Sequence, residues 1–176
     1  MEVKVFLDLD DTLADTSKEI ENQFQYKNYG INTPILQKNI RLIKDLWIWN
    51  RIKNNPQFWE NLPKREMAHE IYEEALKIAK TCENIYILTA LPKLIFKKES
   101  LKFNIAAENK IKWVKKNFPE IPEKNIIIVH AIDKKKYAME NSMSHVLFDD
   151  STKNVNAWKS SGGIAYLVTK KGFLKI

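Results

Sequence analysis

The chain has 176 residues, 44% of them hydrophobic and 29% charged, which suits one soluble globular domain with a core of its own. Its four glycines exclude a Gly-rich phosphate loop of the P-loop or dinucleotide kind, its single cysteine, Cys82, excludes an internal disulfide or a multi-cysteine metal site, and no apolar stretch approaches membrane-spanning length. The net charge of +7 suits an anionic substrate, but the lysines are scattered along helical and loop segments, so no stable nucleic-acid partner is expected; the start lacks a basic-then-apolar leader, and a cytoplasmic location is expected.

An apolar run from Val3 to Leu9, interrupted by Lys4 and Asp8, predicts a buried strand. It stops in carboxylates: Asp8, Asp10 and Asp11. Acidic groups at i and i+2 are costly to crowd unless a cation or a proton compensates. The carboxyl end of a strand is also where open α/β sheets hold their ligands. The stretch therefore predicts a metal-assisted site, against the plainer reading of an acidic turn.

Residues from about 16 to 62 read as helical with no strand following, a small insertion carrying Trp47, Trp49, Phe58 and Trp59. Met67, Ile71, Ala75 and Ile78 recur at helical spacing, with Leu76 and Ala79 widening the face. A strand follows from Ile85 to Leu88. Ile111, Val114 and Phe118 mark another helix, stopped by Pro119 and Pro122. Strands are expected from Ile126 to Val129 and from Val146 to Phe148. Ser151 can cap a helix carrying Val155 and Trp158, which Gly162 and Gly163 would end before a last strand from Ile164 to Val168. The alternation predicts an α/β fold: a three-layer, Rossmann-like parallel sheet of about five strands. One domain spans 1–176, with a helical cap over roughly 16–62 inserted after the first strand.

In such a sheet the strand ends share one edge. That edge gathers Asp8 and Asp10, then Thr89, then Asp133-Lys134, then Asp149-Asp150. Together these types fit phosphoryl transfer. Asp8 is a candidate nucleophile forming an aspartyl-phosphate, and Asp10 a candidate general acid and then base. Asp8, Asp150 and the backbone carbonyl of Asp10 offer hard oxygen ligands for Mg²⁺. Thr89 and its neighbouring backbone N–H groups can hold phosphate oxygens, Lys134 can neutralise charge, and Asp149 can orient a water or the lysine. Asp11 is expected to be a bystander. His69, His130 and His145 show no metal-ligand spacing, and Cys82 is read as a small hydrophobe.

These residues resemble the haloacid dehalogenase-like (HAD) phosphatases, with Asp8-Leu9-Asp10-Asp11-Thr12 as first motif, Thr89 as second, a lysine as third and Asp149-Asp150 as fourth. The resemblance implies the nucleophile and acid–base roles of Asp8 and Asp10, and Mg²⁺ ligation by Asp8, Asp10 and Asp150. A closer resemblance is to the 5′(3′)-deoxyribonucleotidases. It rests on Thr89-Ala90-Leu91-Pro92, Lys110-Ile111-Lys112-Trp113-Val114, Asp133-Lys134 and Phe58-Trp59-Glu60-Asn61-Leu62-Pro63. Two positions depart from that family's usual pattern: Asp11-Thr12 stands for Gly-Val, and Ala90 for Ser. Lys134 is preferred as the motif lysine over Lys135, Lys136 and Lys110, because it follows the acidic residue at the family's position.

The expected activity is a Mg²⁺-dependent phosphomonoesterase acting on (deoxy)nucleoside monophosphates, as a monomer or homodimer. Substrate contacts are expected from Asp10, Thr89, Ala90, Lys110 and Lys134, with a base stacking on Trp47, Trp49 or Trp59 unless these form the cap's own core. A polynucleotide 3′-phosphatase or a protein phosphatase would use the same chemistry. A phosphoacceptor signalling domain is the reading from another class, but its acceptor would follow a middle strand rather than the first.

Overall fold

The computed structural model describes residues 2–24, 46–55, 57–98 and 100–176, so residues 25–45 and 56 of the expected cap span lie outside the described residues. In chain order come β1 (Val5–Leu7), α1 (Thr16–Phe24), a helical stretch at 46–53 (α2), α3 (Ala68–Ala79), β2 (Ile85–Ala90), α4 (Leu101–Asn117) and β3 (Ile126–Val129). A short hairpin of β4 (Met139–Glu140) and β5 (Met143–Ser144) follows, then β6 (Val146–Asp149), α5 (Thr152–Ser160), β7 (Ile164–Thr169) and β8 (Gly172–Lys175).

The main sheet runs β3-β2-β1-β6-β7-β8. All its pairings are parallel except β7 with β8. Strand β1 is central: Leu7 stands opposite Ile87 on one side and Phe148 on the other. The chain first builds outward from β1 through β2 to β3, then crosses to β6 on β1's other flank. That reversal of strand order opens a crevice at the carboxyl ends of β1 and β6, where doubly wound sheets bind ligands.

Both faces of the sheet are covered, so its strands read as continuous apolar runs rather than alternating ones. Val5, Leu7, Ile85 and Ile87 pack with Ile71 and Ala75 of α3 and Trp113 and Val114 of α4. Phe6, Leu88, Leu147 and Ala165 face Val155 and Trp158 of α5. Ser151 caps α5 as expected, accepting from the N–H of Asn154 at 3.5 Å. Gly163 is required by packing: a Cβ there would stand 2.1 Å from the Trp158 indole nitrogen.

Two elements differ from the sequence expectation. Helix α4 begins at Leu101, capped by Ser100, whose hydroxyl accepts the N–H of Phe103 at 3.2 Å. Its buried face carries Phe103, Ala106, Lys110, Trp113 and Val114, while Ile111 is only half buried. A lysine inside the apolar stripe hides the period. The sheet also has a sixth strand, β8, joined to β7 by a tight turn that ends at Gly172 with φ of +139°. Its Phe173 packs edge-on against Phe148 at 5.5 Å between ring centroids, and the lysines around it mask a short strand.

Helix α1, α2 and the 57–62 segment pack together through Phe24, whose ring meets Trp47 at 6.2 Å and Phe58 at 6.5 Å. The strand-end loop is clasped beneath them. Asp15 N–H donates to Pro63 O at 2.9 Å, and Arg65 N–H to Leu13 O at 2.8 Å.

Candidate active site

The chain leaves β1 in a tight coil. Asp8 N–H still pairs with Phe148 O at 2.9 Å, then the carbonyl of Leu9 accepts the N–H groups of Leu13 and Ala14, each at 2.9 Å. Asp11 takes the left-handed backbone, φ +53°, a conformation that Asp tolerates better than most residues. The coil returns Asp8 and Asp10 to the same sheet edge.

Asp8 is buried beside Lys134, whose Nζ donates to Asp8 Oδ1 at 2.8 Å and to Asp149 Oδ2 at 2.7 Å. Asp149 is fully buried and its oxygens also accept from Ser151 N–H at 2.8 Å and from the Asn154 amide at 3.1 and 3.0 Å. Burial pushes the Asp8 carboxyl well above the ordinary carboxylate range; Asp149, Asp10 and Asp150 add to this and Lys134 opposes it. Burial and then Asp149 and Asp11 raise Asp150 to about 7. Burial disfavours the charge on Lys134, but Asp8 and Asp149 outweigh it and keep the ammonium protonated.

Asp10 has different company. Its Oδ2 accepts from Lys110 and from the Thr89 hydroxyl at 3.2 Å, and its Oδ1 accepts from the Thr16 hydroxyl at 2.9 Å. Lys110 also donates to Thr89 Oγ1 at 2.8 Å and to Ala90 O at 3.2 Å, and its ammonium lies 5.2 Å from the centre of the Trp59 ring. Burial raises Asp10 as an acid, but the charge and hydrogen bond of Lys110, with the Thr16 bond, bring it below the ordinary range. Burial and neighbouring charge therefore push two carboxylates two residues apart in opposite directions, Asp8 towards its protonated form and Asp10 towards its ionised form.

A cavity of about 640 Å³ opens over these groups, of a size for a small organic ligand. Asp8, Asp10, Asp150, Ala90 and Lys134 line it, and so does Trp49. Four residues expected to contact substrate lie off this cavity. Thr89 and Lys110 are fully buried and stand behind the Asp10 carboxylate rather than on the cavity. Trp47 is half exposed under the Arg51 guanidinium, 4.7 Å away, on a separate depression with Phe24. Trp59 is buried against Phe96 and belongs to the core.

The sequence reading passed over other residues of the cavity. Asp11 lines it and accepts from Ser17 N–H at 2.7 Å and Ser17 Oγ–H at 2.5 Å. Thr16, Ser17 and Asn154 line it too, and the only signal for them is their place in the first turn of a helix that follows an acidic strand end. His130 borders it with Nδ1 engaged by Leu91 O at 2.9 Å.

The donor set fits a hard divalent cation. Asp8, Asp149 and Asp150 offer carboxylate oxygens within 4.8 Å of one another. Burial first, and then the neighbouring carboxylates, raise Asp8 and Asp150 as acids against the opposing charge of Lys134. Asp149 is already saturated by Lys134, Ser151 and Asn154, so Asp8 and Asp150 are the carboxylates best placed to ligate. The Asp10 carboxylate is engaged on both oxygens by Lys110, Thr89 and Thr16.

No curated protein matches the chain at a significant level. Among solved structures it is similar to the HAD-hydrolase YfnB from Bacillus subtilis, a structure bound to magnesium, with a TM-score of 0.50 over 94% of this chain and 86% of that one at 12% identity, which shows a shared fold. Residues 1–171 match the family described as 5′ nucleotidase, deoxy (pyrimidine), cytosolic type C protein (NT5C), and the chain therefore belongs to this HAD-like nucleotidase family of phosphoric monoester hydrolases.

Proposed function

We propose that the protein is a Mg²⁺-dependent phosphomonoesterase that hydrolyses (deoxy)nucleoside monophosphates in the cytoplasm through an aspartyl-phosphate on Asp8. The observation that carries the reading is that Asp8 and Asp10, two residues apart, have different partners. One is packed with Lys134 and two further carboxylates; the other is held by Lys110, Thr89 and Thr16.

Asp8, Asp150 and the Asp10 carbonyl would hold a Mg²⁺, whose charge would let an anionic carboxylate approach a dianionic phosphate. Asp8 forms the new bond to phosphorus as the ester P–O bond breaks, and the Asp10 proton passes to the leaving alkoxide. Water then attacks the aspartyl-phosphate and gives its proton to Asp10, which restores both residues. Lys134 steadies charge on Asp8 and on the transferring group. Without substrate, Lys110 favours the ionised form of Asp10. The arriving phosphate dianion acts in the opposite sense and favours the proton that the first step needs.

The nucleotide reading rests on the family and on Trp49, an aromatic residue that lines the cavity. Residues 16–62 are read as the cap that selects substrate. A phosphate-release screen over nucleoside monophosphates, sugar phosphates and 3′-phosphorylated oligonucleotides, with and without MgCl₂, tests the proposal. Turnover greatest on nucleoside monophosphates and lost on chelation supports it; turnover without metal, or greatest on oligonucleotide ends, contradicts it.

A further inference from the structure

Each oxygen of Asp10 has its own neighbours. Oδ2 faces Lys110 and Thr89, both fully buried and off the cavity. Oδ1 faces the hydroxyl of Thr16, a residue on the cavity wall. Of the two oxygens, Oδ1 is the one whose hydrogen-bond partner belongs to a cavity-lining residue. Thr16 is itself fixed. It opens α1, just after Asp15, whose Oδ1 accepts the Lys18 N–H at 3.2 Å as a helix cap. The next residue, Ser17, is tied by its N–H and its hydroxyl to Asp11 in the strand-end coil. The first turn of α1 is therefore bound to the Asp10-Asp11 segment by three hydrogen bonds.

We infer that Thr16 is a positioning residue for the proton transfers: its hydroxyl aims Asp10 Oδ1 at the ester oxygen and then at the attacking water. The inference rests on the proposed acid–base role of Asp10. In the first half-reaction the Asp8 O–P bond forms, the ester O–P bond breaks, and the proton moves from Asp10 Oδ1 to the alkoxide. In the second, the water O–P bond forms, the Asp8 O–P bond breaks, and a water proton returns to Oδ1. The Thr16 hydroxyl keeps its own proton throughout and supplies orientation only.

The test compares Thr16→Val, which keeps the shape and removes the donor, with Thr16→Ser, which keeps the hydroxyl. Single-turnover phosphoenzyme formation is followed with a nucleoside 5′-monophosphate, whose alkoxide needs a proton, and with p-nitrophenyl phosphate, whose phenolate does not. Thr16→Val is expected to slow formation about 10- to 100-fold on the nucleotide, a part of the range general acids supply, and to change it less than about 3-fold on the aryl ester. KM should stay within about 3-fold, and Thr16→Ser should regain most of the lost rate. Equal losses on both esters, or no loss on the nucleotide, overturns the inference. Wild-type protein and Asp10→Asn are run alongside. If the wild type turns over, Asp10→Asn shows the leaving-group dependence and Thr16→Val does not, only the positioning role fails. If Asp10→Asn lacks that dependence, the reading of Asp10 fails with it.

Discussion

The ammonium of Lys134 lies 2.8 Å from Oδ1 of Asp8, with both groups buried at the carboxyl end of the central strand. The pair is not isolated, because Asp149 accepts from the same ammonium at 2.7 Å. Lys134 thus pairs with two buried carboxylates at once, and its charge opposes the rise that burial imposes on Asp8.

Lys134→Met should for that reason be costly to the fold as well as to turnover. Breaking a buried charge cluster on one side typically removes about 3–5 kcal/mol of stability. In chelator, urea denaturation is expected to show a loss of that order at pH 8. A smaller loss is expected at pH 5.5, where Asp8, already raised as an acid, takes a proton instead. A loss below about 1 kcal/mol, or one that does not change with pH, contradicts this role for the lysine.

Mg²⁺ binding should depend on pH through Asp150. Its folded-state value is raised to about 7, above that of an exposed carboxylate. The folded metal-free protein therefore binds more protons than the unfolded chain between the two values, so this group's contribution to stability falls as pH rises through that window. A cation removes the repulsion but must displace the proton below about pH 7. The Tm increase caused by MgCl₂ should accordingly be larger at pH 8 than at pH 5.5. An equal or larger increase at pH 5.5 would count against Asp150 as a ligand.

The cavity separates the two tryptophans of the 46–53 helix. Base stacking on an aromatic side chain is worth about 1–3 kcal/mol, so Trp49→Ala should raise KM for nucleoside monophosphates by roughly 5- to 100-fold. It should change KM for glycerol phosphate, which has no base, far less. Trp47→Ala should leave both substrates near wild type. The reverse ranking in steady-state kinetics would place the base-binding wall elsewhere.

Much of this arrangement is legible in the sequence, and for a physical reason. Strand-end carboxylates on a parallel sheet need no tertiary information to be placed on one edge, so Asp8, Asp10, Asp149 and Asp150 can be located from spacing and strand pattern. Lys134 is singled out from Lys135 and Lys136 only through the family resemblance, because it follows the acidic residue at the family's position. Lys110 is different: it lies in mid-helix, and nothing in the local pattern says that its ammonium reaches back to Asp10 behind Thr89. Thr16 and Asp11 are hidden for the same reason, since their roles depend on how the coil after β1 folds onto α1. Helix periodicity likewise could not rank Trp47, Trp49 and Trp59, which differ only in what the neighbouring elements leave open. The sixth strand escaped because Gly172–Lys175 is short and flanked by lysines, and it is strand only through pairing with β7.

The central claim is that phosphate passes through Asp8. The direct test is rapid acid quench of the Mg²⁺-loaded protein with a labelled nucleoside monophosphate, followed by mapping of the acyl-phosphate by mass spectrometry. The account predicts label on the peptide containing Asp8, formed at least as fast as steady-state turnover, and absent in Asp8→Asn, which keeps its fold by circular dichroism. Full turnover by Asp8→Asn, or label on any other residue, would contradict it.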